Sequence, residues 1–258
     1  MTETSVDRIH PSGGNRKRAE MLVTEPATFT LSMLEEKLRT LSGHTFRMVR
    51  GGDGAAGHTL EHLLGLRENN LCVPDWGEFE LKTCRMDSTT PVTLLSKSPK
   101  RTGDISRHDF LAKHGYTDTM GRTGLNCTVS SLCVNSRGWQ LRAALDDQHI
   151  DFEHLGEVVA YQDLPSLTRN LARKVRNIVL VMVDILHDES GLSVQYAGAY
   201  LLAGIHEEEI ASLIRQGQIT FDWRMYVKPD GSVRDHGPVY RIQEANIPQL
   251  YSTRRRIL

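Results

Sequence analysis

The chain has 258 residues, a formal net charge of −1, 39% hydrophobic and 24% charged residues. That length suffices for one large domain or two small ones around a real core, and the composition is that of an ordinary soluble globular protein. The sequence lacks the run of about 18 apolar residues that a spanning helix requires, its polar N-terminal stretch has no secretory apolar segment, and its near-zero charge speaks against a uniformly basic nucleic-acid binder.

Residues 1–27 read as a mobile polar tail, with the folded region over 28–258. Four cysteines (Cys72, Cys84, Cys127, Cys133) form no C-x-x-C pair, so reduced thiols and a cytoplasmic location are expected. The first helix lies in "FTLSMLEEKLRTLSG", where Leu31, Leu34, Leu38 and Leu41 recur at helical spacing. Ser32 and Glu35 are the expected capping box, and Gly43 follows the last turn. A glycine-rich loop, Gly51–Gly57, leads into a short helix carrying Leu60, Leu63 and Leu64. "EFELKT" and "PVTLLS" are strand candidates. "DISRHDFLAKHG" reads as a helix starting at Asp104 or Ser106. From Leu125 the period becomes two, and "LNCTVSSLCV" and "WQLRAAL" flank the turn-former "NSRG", which predicts a β-hairpin. "LPSLTRNLARKVRN" is an amphipathic helix, and "IVLVMVDIL" a buried strand. "HEEEIASLIRQG" is a helix ending at Gly217. "ITFDWRMYV", "KPDGSVRDHG" and "PVYRI" read as strand, long turn and strand. The mixture predicts an α/β (α+β) class with a mixed central sheet flanked by helices.

Charge is unevenly spread. Basic residues are dense at Lys97–Arg107, Arg169–Arg176 and Arg254–Arg256, and acidic ones at Asp146–Glu157 and Glu207–Glu209. Each run alone reads equally well as a solvated face.

Three motifs bear on chemistry. "GDGAAGHT" approaches a phosphate-binding P-loop but has His58 where the lysine should be, so a flexible connector is the simpler reading. "HTLEH" is an inverted zinc-protease pattern. His58 and His62 share a helix face, yet a zinc site needs a third ligand, and Glu61 points about 100° from His62. The third is "VPDWGEFELKT". On a strand Glu80 and Lys82 project to one face, and Asp75 can reach them from the preceding turn. Two carboxylates there make a hard-oxygen site suited to Mg²⁺, and a neighbouring lysine can orient water or offset phosphate charge. A surface hairpin with a salt bridge would carry the same short pattern.

Its context distinguishes the two. "GAAGHTLEHLLG", "ENNLCVPDWGEFELKT", "TLLSKSP", "FDWRMYV" and "RDHGPVYRI" follow in that order between Gly51 and Ile242. This ordered set resembles the MvaI/BcnI family of restriction endonucleases, kin to the MutH mismatch-repair nicking enzyme. The resemblance implies the nuclease fold named for the PD-(D/E)xK motif. It leaves open a division into a catalytic lobe, about 44–120 plus part of the sheet, and a DNA-recognition lobe, about 190–258.

By that resemblance Asp75, Glu80 and Lys82 match the catalytic triplet, with Asp75 and Glu80 binding the metal, and Glu61 matches an accessory acid. Lys97 is a further phosphate or water contact. Asp222, Arg224, His236 and Arg241 match positions that touch DNA bases. Arginine can bond guanine in a bidentate way and aspartate can accept from cytosine. His58, near a helix N-terminus, is a candidate phosphate contact. The glycines before it would let that helix approach DNA. Lysines and arginines of Lys97–Arg107 and Arg169–Arg176 would grip the backbone. One departure stands out, because Cys84 occupies a position where some relatives carry a histidine that reads the central base pair.

The expected activity is therefore Mg²⁺-dependent cleavage of double-stranded DNA at a short GC-rich site of the CC-x-GG kind, with Mn²⁺ as a substitute ion. The enzyme would act as a monomer nicking one strand at a time. It would serve in a restriction system alongside a separate methyltransferase. A mismatch-repair nicking enzyme, a zinc peptidase using "HTLEH" and a DNA-binding module with a dead nuclease fold are the competing expectations.

Overall fold

A computed structural model describes residues 29–52, 54–66, 73–85, 90–143, 148–188 and 191–258. The expected tail and Cys72 fall outside the described residues. In chain order the elements are α1 (Leu31–Leu41), β1 (Thr45–Arg47), α2 (Ala55–Leu64), β2 (Phe79–Arg85), β3 (Val92–Ser96), β4 (Lys100–Arg101), α3 (Arg107–His114), β5 (Tyr116–Thr117), β6 (Thr123–Val129), β7 (Trp139–Ala143), β8 (His149–His154), β9 (Glu157–Asp163), α4 (Leu164–Lys174), β10 (Asn177–Asp188), β11 (Gly191–Ile205), α5 (Glu209–Arg215), β12 (Ile219–Val227), β13 (Val233–Asp235), β14 (Val239–Ile242), a 3-10 turn (Glu244–Leu250) and β15 (Tyr251–Arg256). Among the described residues no helix is long and apolar enough to cross a membrane.

These strands form three sheets in an α+β arrangement. The first has the order β1-β11-β10-β2, with β15 also on β11. It is mixed, because β2 runs parallel to β10 while β1, β10 and β15 all run antiparallel to β11. The second has the order β3-β14-β12-β6-β5, with β13 on β12, and the third β4-β9-β8-β7. Segments far apart in the chain interleave. Strands β11 and β15 join the same sheet as β2, whereas β3 joins β12 and β14.

Two apolar cores cover the two faces of the first sheet, and the side-chain period of two explains why. Phe79 and Leu81 of β2 share a face with Val179, Val181 and Val183 of β10, and pack with Leu34 and Leu38 of α1 and Leu60 and Leu64 of α2. Glu80, Lys82 and Cys84 take the opposite face, in register with Ile178, Leu180 and Met182. There the larger core joins that face to the other two sheets and to α3, α4 and α5. Covered on both sides, β10 reads as the continuous apolar run seen in its sequence.

Two local expectations need correction. The cap of α1 is Thr30, whose hydroxyl accepts from the Met33 N–H at 3.3 Å, so Ser32 lies inside the helix. The expected hairpin between β6 and β7 does not form. The turn at "NSRG" exists, with the Gly138 N–H bonded to the Asn135 carbonyl at 2.9 Å, but β6 pairs with β12 and β7 with β8. A turn signal reports reversal of the chain and not which strand receives the edge. The amphipathic helix α4 forms as expected, with Asp163 accepting from the Ser166 N–H at 2.7 Å and a proline in its first turn.

The turn that delivers Asp75 to the first sheet is held tightly. Trp76 and Phe79 exchange two backbone hydrogen bonds, and the Trp76 ring NH donates to the Thr30 carbonyl at 3.0 Å. Gly77 between them has φ +60°, and a Cβ there would lie 2.6 Å from the Phe29 carbonyl oxygen. Backbone cannot yield as a flexible side chain would. Gly77→Ala is expected to destabilise the protein by roughly 1–3 kcal/mol through strain at a left-handed position. Chemical denaturation checks this, and an unchanged midpoint would refute the strain.

Candidate active site

The site begins with a charge in an apolar place. Glu80 is 1% exposed, on the face of β2 that looks into the larger core. An isolated carboxylate there would carry a desolvation cost of several kcal/mol, so it must have partners. Two are present, and both act on Oε1. Lys82, two residues along the same strand, donates to it, and Nζ of Lys174, the last residue of α4, lies 3.3 Å away. The other oxygen, Oε2, is buried with no hydrogen-bond partner among the described residues. Burial pushes the Glu80 carboxyl above the ordinary glutamate value of 4.5, opposed by Lys82, reinforced by the charge of Asp75 and opposed again by Lys174. Asp75 itself is fixed by the Leu81 N–H, which donates to Oδ2 at 3.0 Å. Asp75, Glu80 and Lys82 are thus brought together as the spacing anticipated.

Helix α2 borders the same region. Its Ala56 carbonyl accepts from the Tyr196 hydroxyl at 3.2 Å, and Thr59 Oγ1 accepts from the Val49 N–H at 3.2 Å. Gly57 faces β2, where an added Cβ would meet Thr83 Oγ1 at 3.5 Å. The N-cap of α2 is Gly54, which has no side chain to cap it. His58 lies in the first turns with Nδ1 3.4 Å from Glu61 Oε2, while His62 is exposed. No group of three His, Cys, Asp or Glu side chains able to hold a metal gathers among the described residues, so "HTLEH" finds no third ligand.

The second sheet turns a polar face towards α2 and β2. Antiparallel register sets Asp222, Arg224, Asn126 and Thr128 on one face, against Phe221 and Trp223 on the apolar one. Asp222 is 8% exposed, and both its oxygens are engaged. Oδ1 accepts from the Thr128 hydroxyl at 2.7 Å and Oδ2 from Arg241 Nη1 at 2.7 Å. Arg224 is exposed. A cleft of about 900 Å³ separates these elements, and Glu61, His58, Lys82, Arg224 and Arg241 line it. Glu80 is beside Lys82, beneath that surface. Lys97 and His236 are not in the lining. They sit on adjoining loops, with the Lys97 N–H bonded to the Pro238 carbonyl at 3.2 Å and the His236 N–H to the Arg224 carbonyl at 2.9 Å.

The basic runs are less available than their sequence suggests. Lys174 is directed to Glu80, not outward as a backbone grip. Arg254 pairs with Glu244 at 3.6 Å and Arg255 with Glu35 at 3.1 Å. Arg107 is 3.7 Å from Asp235. Cys84, Cys127 and Cys133 carry free thiols. Burial and the neighbouring Glu244 push the Cys84 thiol up to about 11.

The donor set suits a hard divalent ion. The Asp75 charge raises the cost of ionising Glu80, and one buried Glu80 oxygen has no hydrogen-bond partner among the described residues, which a cation would supply. Sequence reasoning missed Lys174, Thr128 and Tyr251, because only tertiary packing brings them to Glu80 and Asp222. Tyr251 lies close enough for the Glu80 charge to disfavour its ionisation, and its hydroxyl donates to the Val175 carbonyl at 2.5 Å.

A family model described as the MvaI/BcnI restriction endonuclease family matches residues 35–251. Among solved structures the fold is similar to the restriction endonuclease MvaI in complex with cognate DNA, at a TM-score of 0.76 and 24% identity, covering 88% of this chain and 98% of that one. It is also similar to MvaI solved in the absence of DNA, at a TM-score of 0.51 and 23% identity, covering 91% and 99%. Comparison with curated proteins finds no match.

The raised carboxyl of Glu80 has a consequence for stability. A proton binds the folded chain more tightly than the unfolded one, so ionising Glu80 costs stability in full above the folded pKa, and that cost fades as pH falls through it towards 4.5. Metal-free Glu80→Gln is therefore expected to melt higher than the parent at pH 8, with the gap closing below pH 4.5. Thermal unfolding across pH checks this, and a lower melting temperature at pH 8 would contradict it.

Proposed function

The chain belongs to the MvaI/BcnI restriction endonuclease family and is a site-specific deoxyribonuclease, and from that premise we propose that it hydrolyses phosphodiester bonds in double-stranded DNA through Asp75, Glu80 and Lys82. The target is a short GC-rich site of the CC-x-GG kind. The enzyme acts as a monomer, nicking one strand and then the other, in the cytoplasm and beside a separate methyltransferase that marks the same site. The observation that carries the reading is the shared cleft, in which Lys82 and Glu61 from the catalytic side face Arg224 and Arg241 from the second sheet.

Asp75 and Glu80 would hold Mg²⁺, with Mn²⁺ as a substitute, and the bound ion would acidify water and offset charge developing on the phosphate. The Lys82 ammonium, next to Glu80, orients the attacking water and donates to the scissile phosphate. Glu61 borders the cleft from α2 as an accessory carboxylate, beside its partner His58. The start of α2, behind its glycine N-cap, offers a positive dipole end to a phosphate.

Recognition falls to the second sheet. Arg224 and Arg241 each present a planar fork suited to guanine O6 and N7. Asp222 was expected to accept from cytosine. Each of its oxygens holds one bond and keeps a further lone pair for that contact, and the bond to Nη1 also fixes the Arg241 fork against β6. His236 and Lys97 flank the DNA from the adjoining loops. The expected lobes, about 44–120 and about 190–258, do not follow the sheets, because β11 and β15 pair into the first sheet and β3 into the second; the catalytic part is then the first sheet with α1 and α2, and the recognition part the second sheet.

Plasmid digestion with Mg²⁺ followed by mapping of the ends tests the activity and the site together. Lys82→Ala and Glu80→Ala are each expected to lower cleavage by more than about 100-fold while DNA binding persists. Full cleavage by Lys82→Ala would refute the assignment. Arg241→Ala is expected to cost about 1–3 kcal/mol in cognate binding and to relax the preference at one base pair, whereas a uniform loss over all sequences would make Arg241 a backbone contact.

A further inference from the structure

We infer that Lys174 is a positioning residue of the reaction centre, the standing counter-charge of Glu80 that frees Lys82 to engage the DNA phosphate. The inference rests on the reading of Glu80 as a carboxylate of the nuclease centre.

Geometry carries it. Lys82 and Lys174 converge on the same oxygen of Glu80, the latter at 3.3 Å, and the second oxygen is buried without a hydrogen-bond partner among the described residues. A carboxylate gripped at one oxygen from two different elements cannot exchange its oxygens by rotation without breaking both contacts. The ungripped oxygen is thereby presented in a single place. Lys174 is only 19% exposed, so it is not a solvated surface lysine. Its position is set by packing, since Leu164, Leu167, Leu171 and Ala172 bury the inner face of α4. The helix end is fixed next to it. The Val175 N–H bonds to the Leu171 carbonyl at 2.8 Å, and the Val175 carbonyl accepts from the buried Tyr251 hydroxyl.

The two lysines differ in what else they can reach. Lys82 lines the cleft and Lys174 does not. When Lys82 turns to a phosphate, Lys174 is the one lysine left on Oε1 of Glu80 among the described residues, while Oε2 is the oxygen a metal would take. A buried carboxylate that loses the contact fixing one oxygen no longer presents the other in a defined place, and its charge is less well compensated. Lys174 therefore stabilises the arrangement in which Lys82 has left Glu80, and its effect appears in turnover and not in DNA affinity.

The test compares Lys174→Met, Lys174→Gln and Lys174→Arg with Glu80→Gln and the parent. Single-turnover cleavage of a one-site duplex, metal-free binding of that duplex and metal-free denaturant unfolding are measured for each. Lys174→Met and Lys174→Gln are expected to cut at least about ten-fold more slowly with unchanged duplex affinity, and Lys174→Arg to recover most of the rate. In unfolding, Lys174→Met is expected to destabilise the parent but to have little effect in the Glu80→Gln background, which reports the pairing independently of catalysis. Parental cleavage by both neutral variants would overturn the inference, as would equal losses of rate and duplex affinity, or additive effects in the double variant. Parental cleavage by Glu80→Gln would instead overturn the underlying reading of the nuclease centre.

Discussion

The pairing of one buried carboxylate, Glu80, with two lysines is the constraint around which this part of the fold is arranged. Glu80 lies on an interior strand face, in register with Ile178 of β10 and beside the end of α4. An apolar residue would serve the core better there, since replacing a buried ion pair by well-packed hydrophobes is often neutral or stabilising. Keeping Glu80 requires Lys82 on the same face of β2, which the period of two supplies. It also requires α4 to end beside the sheet, which the apolar stripe of Leu164, Leu167 and Leu171 supplies. The parallel pairing of β2 with β10 follows from the same layout, because the helix α4 immediately precedes β10 and brings Lys174 to its edge.

The same device appears a second time in the other sheet. Asp222 is nearly as buried, and it holds Arg241 on one oxygen and Thr128 on the other. In each case a buried acid fixes a cation whose far side reaches the cleft. The acids fix geometry, and the cations line the cleft. This division suits a protein whose net charge is −1, because it needs only a few cations held in defined places and not a basic surface. It also accounts for the pairing of the arginines at the C-terminus. Arg255 bonds Glu35 and so links β15 to α1 at the surface.

What could be read from the sequence was local. Asp75, Glu80 and Lys82 lie within one turn and strand, so spacing alone brings them together. Helix α4 and strand β10 announce themselves by period, because each buries what its pattern says it buries. Strands β8 and β9 were hidden in what looked like an acidic run, although Ile150 and Phe152 alternate there with Asp151 and Glu153. The partnership of β6 with β12, and not with β7, was invisible because sheet membership is decided by packing at long range. The same reason hid Lys174. As a residue it belonged to a basic run that suggested DNA backbone, and only the end of α4 shows that it turns inward. The N-cap of α1 was misplaced by two residues because Thr30 and Ser32 are both competent caps, and the bonding of Trp76 to the Thr30 carbonyl selects the earlier one.

Cys84 shows how far the interior constraint extends into recognition. It follows Lys82 on the same face and lines the cleft, yet it is 5% exposed. Its thiol donates towards the Arg85 carbonyl and Glu244 Oε2, each at 3.6 Å. With the thiol pushed up to about 11 it stays protonated at any working pH, and a thiol is a weak donor and a weak acceptor. An imidazole at this point would offer a directional bond to a base edge, whereas the cysteine offers a small apolar surface. Beside Lys82 the cleft wall is therefore a small apolar surface, and the polar side chains that answer it across the cleft are Arg224 and Arg241.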